Sequence, residues 1–75
     1  MLKTKIELEI IKRIVAIRGK KITQRDIAEY LNVSPGYIGQ VESKNSPSMY
    51  SINQLNDLAK IFECSLHAFF PENPV

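Results

Sequence analysis

Apolar residues recur along the start of the chain at Ile6, Ile10, Ile14 and Ile17, with Ile11 and Val15 widening the stripe. Steps of three and four predict an amphipathic helix over about 5–18. Thr4-Lys5-Ile6-Glu7 forms a capping box at its start, and Gly19 stops it. A second box, Thr23-Gln24-Arg25-Asp26, opens a helix over about 24–31 with Ile27, Ala28 and Leu31 inward. Asn32 ends it, because asparagine tolerates the left-handed conformation that breaks a helix abruptly. Ser34-Pro35 then starts a new helix over about 35–43, with serine as the cap and proline at the first position. Ile38 and Val41 face inward there. After the turn-rich KNSPSMY, Ser51-Ile52-Asn53-Gln54 is another box and opens a helix over about 52–63. Its inward set is Ile52, Leu55, Leu58, Ala59 and Phe62. Ser65 caps a last short helix over about 66–70, closed by Pro71, and residues 71–75 read as a frayed tail. No run alternates as a strand does. The expectation is all-α: one compact five-helix domain over 1–75, its helices joined by short connections.

Composition fits that expectation and narrows the chemistry. With 44% apolar and 24% charged residues the chain reads as soluble and globular. Its apolar runs are too short for a membrane span, and charges at Lys5, Glu7 and Glu9 argue against a signal peptide, so the expected location is cytoplasmic with no membrane partner. The single cysteine, Cys64, cannot pair internally and reads as an apolar thiol packed between helices. His67 is equally alone and reads as a surface or partly packed residue. No metal cluster, nucleophile–base pair or phosphate-cradling glycine loop has motif spacing, which argues against an enzyme and implies no metal and no cofactor.

Charge is unevenly placed. Residues 1–44 carry +4 and residues 45–75 carry −2, and RGKKITQR holds four bases and no acid. That asymmetry suits a polyanion-binding face, with a solvated loop as the alternative. Lys3 and Lys5 read as a solvated terminus, with a short DNA-touching arm as the alternative.

The segment DIAEYLNVSPGYIGQVESK has the parts of a helix-turn-helix. Two short helices must cross steeply through a tight turn. Ala28 is small where they approach, Asn32 suits the turn, and Ile27, Leu31, Val33, Ile38 and Val41 lock the pair. From about Arg18 to Phe70, through ITQRDIAEYLNVSPGYIGQVES, SPSMYSINQLNDLAKIF and SLHAFF, the chain resembles the phage repressor/Cro-type helix-turn-helix family, also called the xenobiotic-response-element family.

The resemblance implies a sequence-specific regulator of transcription that binds double-stranded DNA, usually as a dimer. It places the helix Pro35 to Ser43 in the major groove. The base-reading candidates are then Pro35, Gly36, Tyr37, Gly39 and Gln40, and Gln40 is best suited to bond a base edge. Gln24 resembles the family's phosphate-binding glutamine, at a helix start that favours anions. Arg25, from the basic run, is a backbone candidate beside it. The family's backbone-contacting loop maps to Lys44, Asn45, Ser46, Ser48 and Tyr50, with Ser51 at the helix start. Tyr50 either stacks on sugar-phosphate or covers the loop. Leu66, Phe69 and Phe70 are dimer-interface candidates, with Phe69 or Phe70 exposed.

Two departures from the family pattern bear on structure. Asn32 stands where many members have glycine. Ile17 stands where many have an arginine that pairs with the glutamate matching Glu42, which leaves Arg13 or Arg18 as its partner. Gly36 and Gly39 either let the helix approach the groove closely or lie where no base is read, with DNA shape supplying specificity. The alternative function is a protein-interaction module, such as an antitoxin or a repressor-modulating partner.

Overall fold

A computed structural model describes residues 2–75. Four α-helices and one 3₁₀ turn follow in order: α1 (Lys5–Arg18), α2 (Gln24–Leu31), α3 (Pro35–Glu42), α4 (Ile52–Phe62) and the turn Leu66–Phe69. The last element is too short for an α-helix, since proline follows within two residues of its end. No strand occurs among the described residues.

The caps form as local chemistry requires. Thr4, Thr23 and Ser51 each accept a hydrogen bond from the third helical N–H, and the backbone N–H of each cap residue donates to the side-chain oxygen of Glu7, Asp26 or Gln54. Ser34 caps α3, with Pro35 at its first position. Asn32 is left-handed, with φ 57° and ψ 48°, and the Val33 N–H closes α2 onto the Ala28 carbonyl at 2.9 Å. Glu63 ends α4 in the same way at φ 53°, one residue before the expected boundary. A non-glycine residue seldom adopts that conformation, which is why glutamate gave no stop signal.

The core is one cluster. Ile10, Ile11 and Ile14 of α1 meet Ile27, Ala28, Ile38 and Val41 of the α2–α3 pair, Leu55, Leu58 and Ala59 of α4, and Phe69 of the 3₁₀ turn. Ala28 is buried, as the α2–α3 crossing requires. Leu31, Val33 and Cys64 are half-buried against the cluster. His67 is exposed. Ile6, Val15 and Ile17 lie at the exposed margins of the α1 stripe. Ile52 departs from the expected inward set: at the first position of α4 it is 73% exposed.

Two aromatic residues lie deeper than expected. Phe69 is fully buried, its ring edge-on to Phe62 at 6.0 Å and 89°. Tyr50 is also core, 5% exposed. Its hydroxyl is buried without a hydrogen-bond partner among the described residues. Desolvation, followed by the nearby charge of Glu42, raises its pKa well above the ordinary tyrosine value of 10.0. A raised phenol pKa leaves stability intact below about pH 10 and removes it above, because only the unfolded chain ionises there, at up to about 1.4 kcal/mol per pH unit. Tyr50→Phe should therefore flatten the alkaline limb of the stability profile. At neutral pH it should leave the protein equally or more stable, because it removes an unsatisfied buried hydroxyl. Urea melts at pH 7 and above pH 10 check both signs; a variant that loses stability at pH 7 would show that the hydroxyl is satisfied in solution.

Candidate nucleic-acid interface

α3 turns its apolar side, Ile38 and Val41, into the core. Its opposite side presents Pro35, Gly36 and Gln40 to solvent, with Gly39 half-buried between them. An open cleft of about 690 Å³ runs along this side. Gly36, Gly39 and Gln40 form one wall, and Asn45, Ser46 and Ser48 line the other. The lining has no acidic residue, and most of its side chains are small. Such a cleft is open to a polyanionic ligand and leaves the α3 backbone accessible.

Gln40 is the longest polar side chain in the cleft. Its Oε1 accepts a hydrogen bond from the Ser48 hydroxyl at 3.3 Å, which ties the loop to α3 and leaves the amide nitrogen's donors uncommitted within the fold among the described residues. Asn45 and Lys44 are exposed, and Ser46 and Ser48 half-buried. The Asn45 N–H donates to the Ser43 hydroxyl and the Ser48 N–H to the Ser46 hydroxyl, so side chains shape this loop from within.

Tyr37 does not join the exposed group. Its hydroxyl donates to the Met49 carbonyl at 2.7 Å and lies 3.1 Å from Oε1 of Gln54, which also accepts from the Ser51 N–H at 2.8 Å. Tyr37 therefore fastens α3 to the start of α4, and its polar atom is spent inside the fold. Tyr50, 5% exposed, fits the second of its two readings, a cover under the loop, and not a ring free to stack on sugar-phosphate.

Glu42 finds its partner in Arg18. Arg18 Nε and Nη2 donate to the two carboxylate oxygens, each at 2.8 Å. The side chains are 16% and 6% exposed. The hydrogen bond to Glu42 raises the pKa of Arg18 further, against the cost of burial. Arg13 instead meets Glu9 one turn away on the surface of α1. Gln24 Nε2 also donates to Glu42, at 2.9 Å. One amide N–H of Gln24 is thus committed, and its oxygen lies beside Gly39. The glutamine at the start of α2 is held next to the cleft by a part-buried ion pair, with Arg25 exposed beside it.

The structure also places Lys3, which read as solvated or as an arm. It is 1% exposed. Its ammonium donates to the carbonyls of Gln40 and Ser43 at the end of α3, at 3.3 and 2.5 Å, and to that of Ser46. No local pattern announces this contact; it exists only once the fold brings residues 3 and 43 together.

Two consecutive helices at a tight left-handed turn, the second one pinned at its end and bare on its outer side, make a helix-turn-helix. A helix-turn-helix family model matches residues 11–69. The chain belongs to the phage repressor/Cro-type helix-turn-helix family. No curated protein and no solved structure matches it. The phage repressor/Cro-type family is one of DNA-binding regulators, not of enzymes, and this chain is in general a DNA-binding regulator.

The dimer candidates separate in the structure. Phe69 belongs to the core, so the outer surface there falls to Leu66 and Phe70, both half-buried. They line a shallow groove of about 790 Å³ with Arg13, His67 and Glu72. Among the described residues no group of histidine, cysteine or acidic side chains is placed to hold a metal ion. No described helix is long and apolar enough to cross a membrane.

Proposed function

We propose that the protein is a sequence-specific transcriptional regulator that binds double-stranded DNA as a homodimer, with residues 1–75 acting as one domain in the cytoplasm. The observation that carries the reading is the acid-free cleft along α3, bounded by backbone-approachable glycines and by one long amide, Gln40. α3 lies in the major groove in this reading. Pro35, Gly36 and Gly39 bring its backbone close, and Gln40 bonds a base edge. Gln24, Arg25, Lys44, Asn45, Ser46, Ser48 and Ser51 flank it as phosphate contacts, each presenting an N–H, hydroxyl, amide or cationic group at or near a helix start or the loop. Leu66 and Phe70 supply the apolar part of a twofold contact.

Selection from a random duplex pool at near-physiological salt tests the reading. The expected product is an inverted repeat with half-site centres about 34–36 Å apart, one helical turn. Repeating the selection with Gln40→Ala should relax one base position in each half-site, at about 1–3 kcal/mol of discrimination. Binding should fall steeply with added salt, because phosphate contacts release counterions. A lone half-site would replace the homodimer with a monomer or a heteromeric partner. No enrichment by folded protein would leave the protein-interaction module, an antitoxin or repressor-modulating partner, with the Leu66–Phe70 groove as its docking surface.

A further inference from the structure

Lys3 is among the largest fully buried side chains in the molecule, and it carries a charge. An ammonium taken out of water costs several kcal/mol unless each of its donors finds an acceptor. It has three donors and no acceptor, and three carbonyls converge on it. The carbonyls of Gln40 and Ser43 lie at the end of α3 and each already accepts one backbone N–H, from Ser43 at 3.1 Å and from Ser46 at 3.4 Å, so the ammonium takes up their remaining acceptor capacity. That end also carries the negative pole of the helix, so a cation there is favoured twice. The third carbonyl, of Ser46, is not in a helix at all. It belongs to the loop that forms the far wall of the cleft.

One ammonium therefore holds both walls at once. Gln40, the long side chain of the cleft, hangs from a residue whose own carbonyl Lys3 binds. Ser48, which orients the Gln40 amide, lies two residues beyond Ser46 and donates its N–H to the Ser46 hydroxyl. α3 carries two glycines among eight residues, so its own propensity does little to fix where it ends.

We propose that Lys3 is a positioning residue of the DNA interface: it sets the spacing between α3 and the 43–48 loop, and through it the aim of Gln40. The proposal rests on the DNA-binding reading above. It separates Lys3 from a lysine that merely adds positive charge, because a charge facing three protein carbonyls is turned away from phosphate.

Lys3→Met keeps the aliphatic stem and removes the ammonium. Lys12→Met, at an exposed position on α1, removes the same charge elsewhere. Affinities of the parent and both variants are measured on the selected operator and on an unrelated duplex. Lys3→Met should lose about tenfold on the operator, the scale of one lost base contact, and clearly less on the unrelated duplex. Lys12→Met should lose equally on both. Amide exchange across residues 43–48 should quicken in Lys3→Met and stay unchanged in Lys12→Met.

If Lys3→Met keeps the parent's ratio of operator to unrelated affinity, the proposal is overturned. If Lys3→Met does not fold, the parent decides: the Lys3 ammonium protons should exchange with water more slowly than those of Lys12, and equal rates refute the contact. A parent that selects no sequence at all is a different failure, that of the DNA-binding reading itself.

Discussion

Glu42→Ala is expected to cost about 3 kcal/mol of stability and lower the melting temperature by about 12–24 °C. The side chain is 6% exposed and accepts from three donors, two on Arg18 and one on Gln24. Removing it strands a guanidinium that is itself 16% exposed. The cost of an uncompensated, largely buried charge exceeds the net worth of the pair. Arg18 keeps some compensation, since Nη1 donates to the carbonyls of Gly19 and Ile22 at 3.1 and 3.0 Å, which places the estimate at the low end for a broken buried pair. Removing both partners, as Arg18→Met with Glu42→Met, should cost less than the sum of the two single changes, because neither charge is left alone. Thermal melts of the four proteins check this. A loss below about 1 kcal/mol for Glu42→Ala would mean that solvent screens the pair as it does at a surface.

Gly39 is expected to separate stability from binding. A Cβ added at Gly39 would stand 3.7 Å from the Gln24 amide oxygen, an ordinary contact. The φ of Gly39 is not in the left-handed region, so alanine fits the backbone. Gly39→Ala should therefore gain about 0.5–1 kcal/mol of helix stability. The same methyl projects into the cleft between α3 and DNA in the proposed complex. Operator affinity should fall by about tenfold, the equivalent of 1.4 kcal/mol, and Gly39→Leu should abolish sequence selection. Opposite signs in a urea melt and a binding titration would locate the loss at the DNA. If Gly39→Ala binds as tightly as the parent, close approach is wrong, and the glycines lie where DNA shape rather than contact is read.

Much of the fold was legible because its decisive signals are local. A capping box spans four residues, and those at Thr4, Thr23 and Ser51 marked three helix starts. Ser34-Pro35 marked the fourth, and Asn32 the turn between the motif's helices. What escaped depends on distant partners. Lys3 has a charged residue's profile, and only the carbonyls 37 to 43 residues away make its burial tolerable. Tyr37 and Tyr50 carry the composition of contact residues, yet one hydroxyl is taken by Met49 and the other is covered by the core. Ile52 matched the helical period but sits at the first position of α4, where the expected inward face is not covered. For the candidate interface, the glycines and Gln40 could be placed on one side of a helix in advance. The loop that faces them was placed only through the family resemblance, and the bond from Ser48 not at all.

Lys3 and Arg18 stand just before and at the end of α1, and both hold the end of α3. A helix of eight residues with two glycines is too short and too weak to persist by itself. Its order therefore comes from its packing on α2 and from these ties to α1, so loosening α3 and unfolding the domain break the same contacts. Folding and readiness for DNA become the same equilibrium. A change anywhere in the core that shifts this equilibrium alters how many molecules are competent in the cell, and how many are open to proteolysis, while each competent molecule grips its site as before.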